Sequence, residues 1–472
     1  MIKIESKKNK FTYNVYHVTK AFYPKEDIVQ TVDEKQEPLV KIHLPEGTCF
    51  SLAPEECVQT EDVQEEKRDV YQFLSKQTGQ KLAWGMLTGV RPTKLVMQKI
   101  EQGMTKEEIF GFLKEQYCVG DKKAQIAYEI ACREKALLDQ LDCKNGYSLY
   151  AGIPFCPSIC SYCSFSSSPI AEWKDQVDCY LDAMIKELKA TAKLMQGKTL
   201  DTVYIGGGTP TTLEADQLDR LLGTIRENFD LEHVLEFTVE AGRPDSITRE
   251  KLEVIRKYPV TRISVNPQTM QQKTLDLVGR KHTVEDVEQI FNLARELGFD
   301  NINMDLIAGL PGEDAADMQD TLEKIEKLHP DSLTVHALAI KRAAKFGQEG
   351  RTMDPGTEIT QMVEAAAASA ERMGLVPYYL YRQKNIAGNF ENVGYAEQDK
   401  AGVYNILIME ERQTIIACGA GSTTKLVLPE KIKTSSGKET NLIRVENVKN
   451  ITEYIDRIDE MIERKEALFE KD

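Results

Sequence analysis

From Ser148 onward the chain alternates short apolar runs with longer amphipathic stretches. The apolar runs are Ser148–Ile153, Thr202–Ile205, Glu236–Glu240, Arg262–Val265, Asn301–Ile307 and Ser332–Ile340. The stretches between them, such as Cys179–Met195 and Val284–Leu297, carry apolar residues at helical spacing. Strands that alternate with helices predict a parallel sheet with right-handed crossovers. Six such units predict an α/β fold, a partial (β/α)6 barrel left open rather than closed eight-fold.

The flanks read differently. In residues 1–55, Phe11–Val18 and Leu39–Leu44 are rich in β-formers and predict strands. Residues 63–142 predict helices. Thr105-Lys106-Glu107-Glu108 has the form of a capping box, with Ile109, Phe112 and Leu113 on one face after it. The polar run Asp142–Gly146 marks a boundary. Past residue 346, helices are expected at Glu358–Met373 and Ile451–Phe469. A hairpin is expected from Val403–Met409 and Gln413–Cys418 around Glu410-Glu411-Arg412. The expected organisation is an N-terminal β-then-α accessory region (1–145), the partial barrel (146–345) and a C-terminal mixed α/β region covering the substrate (346–472).

At 472 residues, two or three domains are expected. The chain is 41% hydrophobic yet has no long apolar run, so no membrane span is expected. A net charge of −15 argues against nucleic-acid binding. Met1-Ile2-Lys3-Ile4-Glu5 has neither a signal peptide's apolar core nor a transit peptide's Arg/Ser bias, so a cytoplasmic location is expected. The ten cysteines are too sparse for a disulfide framework. In a reducing compartment, clustered ones are metal ligands or catalysts.

Three of them cluster. Cys156, Cys160 and Cys163 follow the first barrel strand with C-x3-C-x2-C spacing. Three thiolates can wrap one face of an iron–sulfur cluster and leave one iron open. Zinc is the alternative, but its structural sites are closed by four ligands and no fourth is nearby. Chemistry in a parallel barrel collects at the C-terminal strand ends, and every strand here ends in unusual residues. Gly206-Gly207-Gly208-Thr209 follows the second strand, where missing side chains let backbone approach a ligand. Glu240, Gln268 and Asp305 follow on later strands, with Arg280 in Gly279-Arg280-Lys281-His282. Glu240 can accept from an ammonium, Gln268 and Asp305 can bond ribose hydroxyls, and Arg280 can pair with a carboxylate. His282 and His336 read either as substrate contacts or as packing residues. Lys341, Arg342 and Lys345, with Arg382 and Lys384 near Tyr378, Tyr379 and Tyr381, suit a flat, carboxylate-bearing ligand. Leu87–Lys94 has no assigned chemistry.

These motifs together resemble the radical S-adenosylmethionine superfamily and, within it, the oxygen-independent coproporphyrinogen III oxidase (dehydrogenase) family, in its variant with an extra N-terminal region. The resemblance covers about residues 147–420 and rests on Tyr-x-x-Ile-Pro-Phe-Cys, the cysteine triad, Gly-Gly-Gly-Thr-Pro-Thr, Arg-Ile-Ser-x-x-x-Gln, Gly-Arg-x-His and Asp-Leu-Ile-x-Gly-Leu-Pro-Gly. It implies a [4Fe–4S] cluster on Cys156, Cys160 and Cys163, with Tyr150 beside it. It implies S-adenosylmethionine held by Gly207, Gly208, Thr209, Glu240, Gln268, Arg280, Asp305 and Ala339. The implied reaction is oxidative decarboxylation of two propionates of coproporphyrinogen III to vinyls, started by a 5′-deoxyadenosyl radical, with flavodoxin or ferredoxin as electron donor. Gly152 stands where the best-studied oxidases have histidine, and Phe165 where they carry a further cysteine. The related haem chaperones also lack that cysteine, so a haem-binding role stays beside the oxidase reading.

Overall fold

The computed structural model describes the chain apart from residues 8, 24–25, 36–39, 53–62, 88, 90, 340–343, 350–356, 383–389, 435–436, 438 and 470–472. Strands β1 (Ile2–Ser6), β2 (Ile28–Val32), β3 (Val40–His43) and β4 (Cys49–Leu52) form a small sheet in the order β2-β1-β3-β4. The strand expected at Phe11–Val18 lies instead within a helix, Asn9–Phe22. Val15, Val18 and Phe22 fall at i, i+3 and i+7 and are buried with Ile2, Ile4, Val40 and Ile42 of the sheet. Burial at helical period outweighed the strand preference of β-branched residues, which is context-dependent. The region expected to be helical is so: Val63–Thr78, Pro92–Glu101, Lys106–Tyr117 and Asp121–Leu138. The capping box at Thr105 and Glu108 forms, and Ile109 and Leu113 are buried.

The six expected barrel strands are all present. They are β5 (Gly146–Ile153), β8 (Thr199–Gly207), β9 (Glu236–Gly242), β10 (Arg262–Val265), β11 (Ile302–Ala308) and β12 (Ser332–Ala337), all parallel and adjacent in chain order. A two-residue pair, β6 (Phe155–Cys156) with β7 (Ser168–Pro169), follows β5. Period-2 alternation sorts the side chains. Leu149, Ala151, Val203, Ile205, Phe237, Val239, Ile263, Met304, Leu306, Leu333 and Val335 join the main core. The intervening positions Tyr150, Tyr204, Glu240, Asp305 and His336 share the other, concave face. Parallel sheets buried in apolar material on both faces read as continuous hydrophobic runs. This one does not, because its inner face carries tyrosines, carboxylates and a histidine.

The sheet stays open, with eleven strands and C-terminal segments on both edges. On one edge β14 (Asn392–Ala396) runs antiparallel to β12 and carries β13 (Val376–Tyr381). On the other, β15 (Thr414–Cys418) runs parallel to β5 and is followed by the hairpin β16 (Thr423–Lys433) and β17 (Glu439–Glu446). The hairpin expected at 403–418 is therefore not formed. Val403–Glu410 is a helix, ended by Glu411 at φ 52°, and Thr414–Cys418 pairs with the barrel instead. Short apolar runs are ambiguous between helix and strand, and the free edge of β5 decided this one.

The last helices, Ile451–Asp456 and Ile458–Phe469, are tied to the barrel by a buried carboxylate. Glu187 accepts from the Gly419 N–H at 2.8 Å and from Asn447 Nδ2 at 2.7 Å, and also from the Tyr454 hydroxyl. Lys465, itself buried, completes the ion pair. Removing one partner strands the other charge in a dry site. Lys465→Met should therefore cost about 3–5 kcal/mol and lower the melting temperature. Adding Glu187→Gln should restore much of the loss, and an unchanged melting point in the single variant would refute the assignment.

Candidate active site

Two strand ends meet with no room between them. The Gly208 N–H donates to the Ile153 carbonyl and the Thr209 N–H to the Phe155 carbonyl, both at 2.7 Å. A Cβ on Gly208 would stand 2.4 Å from the Phe155 oxygen and 3.0 Å from Cys156 Sγ, and one on Gly206 2.7 Å from Glu240 Oε2. Gly207 adds a φ of +108°, which side chains rarely adopt. The Cβ-free run thus lays backbone directly beside the cysteine loop.

That loop is fastened on its far side. Ser161 N–H donates to the Val278 carbonyl at 3.1 Å, and Ser158 Oγ to the Gly279 carbonyl at 2.9 Å. The Thr209 hydroxyl lies 3.6 Å from Cys156 Sγ, and Arg243 Nη1 3.8 Å from Cys160 Sγ. None of the described cysteines is in a disulfide. Among the described residues, no three His, Cys, Asp or Glu side chains converge as they would around a single ion. An iron–sulfur cube places its thiolates on separate corners, so its ligands surround a volume instead of a point.

The concave face continues the site. Tyr150, Tyr204 and Tyr404 stack, with centroids 6.2 Å apart for Tyr150–Tyr204 and 4.3 Å for Tyr204–Tyr404. The Tyr204 hydroxyl and the Gly207 N–H donate to Glu240. Burial nonetheless pushes the Glu240 carboxyl up to about 7, with nearby Asp305 adding to the rise. Asp305 accepts from Asn303 Nδ2 at 2.7 Å and lies 4.0 Å from His336 Nε2, while the Tyr381 hydroxyl is 3.4 Å from His336 Nδ1. Burial lowers the His336 pKa. Gln268 sits at φ +68°, bridging to β11 through the Asp305 carbonyl and the Ile307 N–H. Ala339, half-buried, comes two residues after β12.

Arg280 is buried, donating to the Asn266 carbonyl at 2.6 Å and the Tyr162 hydroxyl at 3.2 Å. Its Nε and the Asn266 Oδ1 are buried without a hydrogen-bond partner. Buried polar atoms are rarely left unpaired, so such atoms invite a ligand.

Of the basic set expected for substrate, the structure describes Lys345 and Arg382. Arg382 is buried over the Trp84 ring and donates to the Leu87 carbonyl. Burial lowers its pKa to about 10. Tyr381, the last residue of β13, meets His336, whereas Arg382, just past the strand end, turns to Leu87 and Trp84. The same contact gives the Leu87–Lys94 segment a place, and Arg91 pairs there with Glu411 at 2.7 Å. Lys345 is exposed and lies 3.9 Å from Glu349. Lys341, Arg342 and Lys384 lie outside the described residues. Sequence reasoning missed Tyr204 and Arg243. Tyr204 was findable, two residues before the glycine run at an inner position of the alternation. Tyr404 comes from a helix, and no local signal announced it.

The model of the radical SAM superfamily matches residues 150–325. An oxygen-independent coproporphyrinogen-III oxidase-like protein, HemZ of Bacillus subtilis strain 168, is 42% identical over 411 residues, which is 84% of this chain and 80% of that protein. The chain belongs to this oxidase-like family. The haem chaperone HemW of the same organism is 35% identical over 239 residues, 49% of this chain and 62% of the chaperone. The oxygen-independent coproporphyrinogen III oxidase of Escherichia coli K12 is 35% identical over 188 residues, 40% of this chain and 41% of the enzyme. The chain thus aligns with less than two thirds of either of these relatives. The solved coproporphyrinogen III oxidase HemN of E. coli, described as a radical SAM enzyme, shares the fold, with TM-score 0.55 and 23% identity over 70% of this chain and 73% of that one. The superfamily generally uses a [4Fe–4S] cluster and S-adenosylmethionine. The residues present fit both: three thiols on one fastened loop, a strand end cleared of Cβ atoms, and an unpaired Arg280 Nε.

Glu240 generates a pH prediction. A carboxyl whose pKa is raised from 4.5 to about 7 by folding stabilises the fold fully below 4.5, and that contribution is lost as pH rises through about 7. Without ligands, Glu240→Gln should gain stability relative to the parent protein across this window, by on the order of 3 kcal/mol. Melting curves at several pH values check this; a difference independent of pH would refute it. No helix among the described residues is long and apolar enough to cross a membrane.

Proposed function

We propose that the protein catalyses oxygen-independent oxidative decarboxylation of coproporphyrinogen III to protoporphyrinogen IX in the cytoplasm. The observation that carries this reading is the meeting of the cysteine loop with the Cβ-free end of β8 on a polar concave face. Cys156, Cys160 and Cys163 would hold a [4Fe–4S] cluster. Tyr150, Gly207, Gly208, Thr209, Glu240, Gln268, Arg280, Asp305 and Ala339 would hold S-adenosylmethionine. When bound, these groups supply radical chemistry that removes hydrogen from a propionate side chain.

The chain's own part is binding and orientation. Glu240, ionised above about pH 7, accepts from an ammonium. Arg280 turns its cation and free Nε to a carboxylate. The stacked Tyr150, Tyr204 and Tyr404 give the concave face an aromatic surface beside Glu240. Substrate carboxylates fall to Lys341 and Arg342, four and five residues after the end of β12. Residues 146–345 form the catalytic core in this reading, 1–145 an accessory region and 346–472 a substrate cover. A carrier such as flavodoxin or ferredoxin delivers the electron.

A haem-handling role is the second reading, favoured by the similarity to the haem chaperone and by Phe165 in place of a further cysteine. Anaerobically reconstituted protein given coproporphyrinogen III, S-adenosylmethionine and a reductant separates the two. Vinyl products by chromatography support the oxidase; stoichiometric haem binding without turnover supports the alternative. In the same preparation, Arg280→Ala should weaken S-adenosylmethionine binding by about 1.5–3 kcal/mol while the iron content stays. Unchanged affinity in calorimetry would remove Arg280 from the site.

A further inference from the structure

Arg243 is a buried cation with no part in the reading above, and it touches the cysteine loop. It leaves the end of β9 just before a short turn, Pro244–Ser246. That turn is locked from beneath. Ser246 Oγ donates to the Arg243 carbonyl at 2.8 Å, and Lys251 Nζ donates to the Thr211 carbonyl at 2.8 Å and the Ser246 carbonyl at 3.3 Å. The turn brings Asp245 back onto its own neighbour. The Arg243 guanidinium forms a two-pronged pair with the Asp245 carboxylate, at 2.9 Å from Nε and 2.6 Å from Nη2. His282 and the Arg243 guanidinium together hold the Asp245 carboxyl well below the ordinary carboxylate range against the cost of burial. A fork fixed at two points has one orientation.

That orientation aims the remaining nitrogen, Nη1, at the cysteine loop. Nη1 donates to the Ser158 carbonyl at 2.9 Å and to Ser158 Oγ at 2.8 Å, and lies 3.8 Å from Cys160 Sγ. The Arg243–Asp245 pair is therefore a dipole with its positive end on one thiol of the triad. Behind it, His282 Nδ1 is 3.8 Å from Asp245, too far for a hydrogen bond, and both ring nitrogens are buried without partners. Burial lowers the His282 pKa.

The geometry points to Arg243 as a positioning residue that clamps the loop at Ser158 and sets the reduction potential of the cluster through Cys160. This rests on the cluster proposed above. Hydrogen bonds and positive charge at a cluster's sulfurs stabilise its reduced state, because reduction adds a negative charge. Asp245 is the residue that aims the fork.

Anaerobic reconstitution of the full chain, followed by iron and sulfide counts and a dye-mediated reductive titration read by electron paramagnetic resonance, tests this. The expected order of midpoint potentials is parent protein highest, Arg243→Lys lower, and Arg243→Gln and Arg243→Met lowest. Should the Met variant fold poorly or take up no iron, the Lys and Gln pair decides, since both are hydrogen-bond donors and differ in charge. Equal midpoints in Lys and Gln, or a parent-like midpoint in any iron-loaded neutral variant, would overturn the inference and leave the cluster standing. A parent protein that binds no iron and sulfide would overturn the reading beneath it.

Discussion

The whole site depends on the backbone approach at the ends of β5 and β8. Gly208 and Thr209 donate across to Ile153 and Phe155, and the space a Cβ would need at Gly208 is filled by a carbonyl oxygen and Cys156 Sγ. The contact makes the cysteine loop an extension of the sheet instead of an independent excursion. Second fastenings at Val278 and Gly279, just past a short helix, and a third through Arg243, just past β9, hold the loop from other parts of the barrel. A site held from several rigid elements keeps its groups in place without help from a ligand.

Around that contact the sheet separates two kinds of environment. Its convex side packs apolar residues against helices, as in any α/β fold. Its concave side buries tyrosines, carboxylates and a histidine beside one another, and that burial lifts Glu240 and lowers His336. Such shifts cost stability, and the surrounding structure offsets them. The C-terminal strands lengthen the sheet at both edges, and the buried Glu187–Lys465 pair fastens the last helices behind β5 and β15. The turn between two N-terminal helices contributes Trp84, whose ring lies under Arg382, so the accessory region is seated on the same sheet.

The barrel strands, their parallel order and the cysteine loop could all be read along the chain. Alternation of apolar runs with helical stretches is a local pattern, and the unusual residues sit where each strand stops. The errors came where local pattern was ambiguous. Phe11–Val18 has strand-forming residues yet forms a helix, because the small sheet offers a face for Val15, Val18 and Phe22. Val403–Glu410 forms a helix because Thr414–Cys418 finds the free edge of β5. Arg382 was assigned by its neighbours in sequence, but it lies just past β13 and packs over Trp84 from the N-terminal region.

The sequence alone therefore determined the fold class, the three-cysteine loop and the glycine-rich strand end beside it, since each rests on spacing between residues close in the chain. Tertiary structure decided which side chains from distant parts of the chain meet there. Tyr404 reaches Tyr204, Arg243 reaches Cys160, and Arg280 ends with an unpaired Nε, through contacts between residues distant in sequence. Such contacts are set by packing of whole elements, and no local period encodes them.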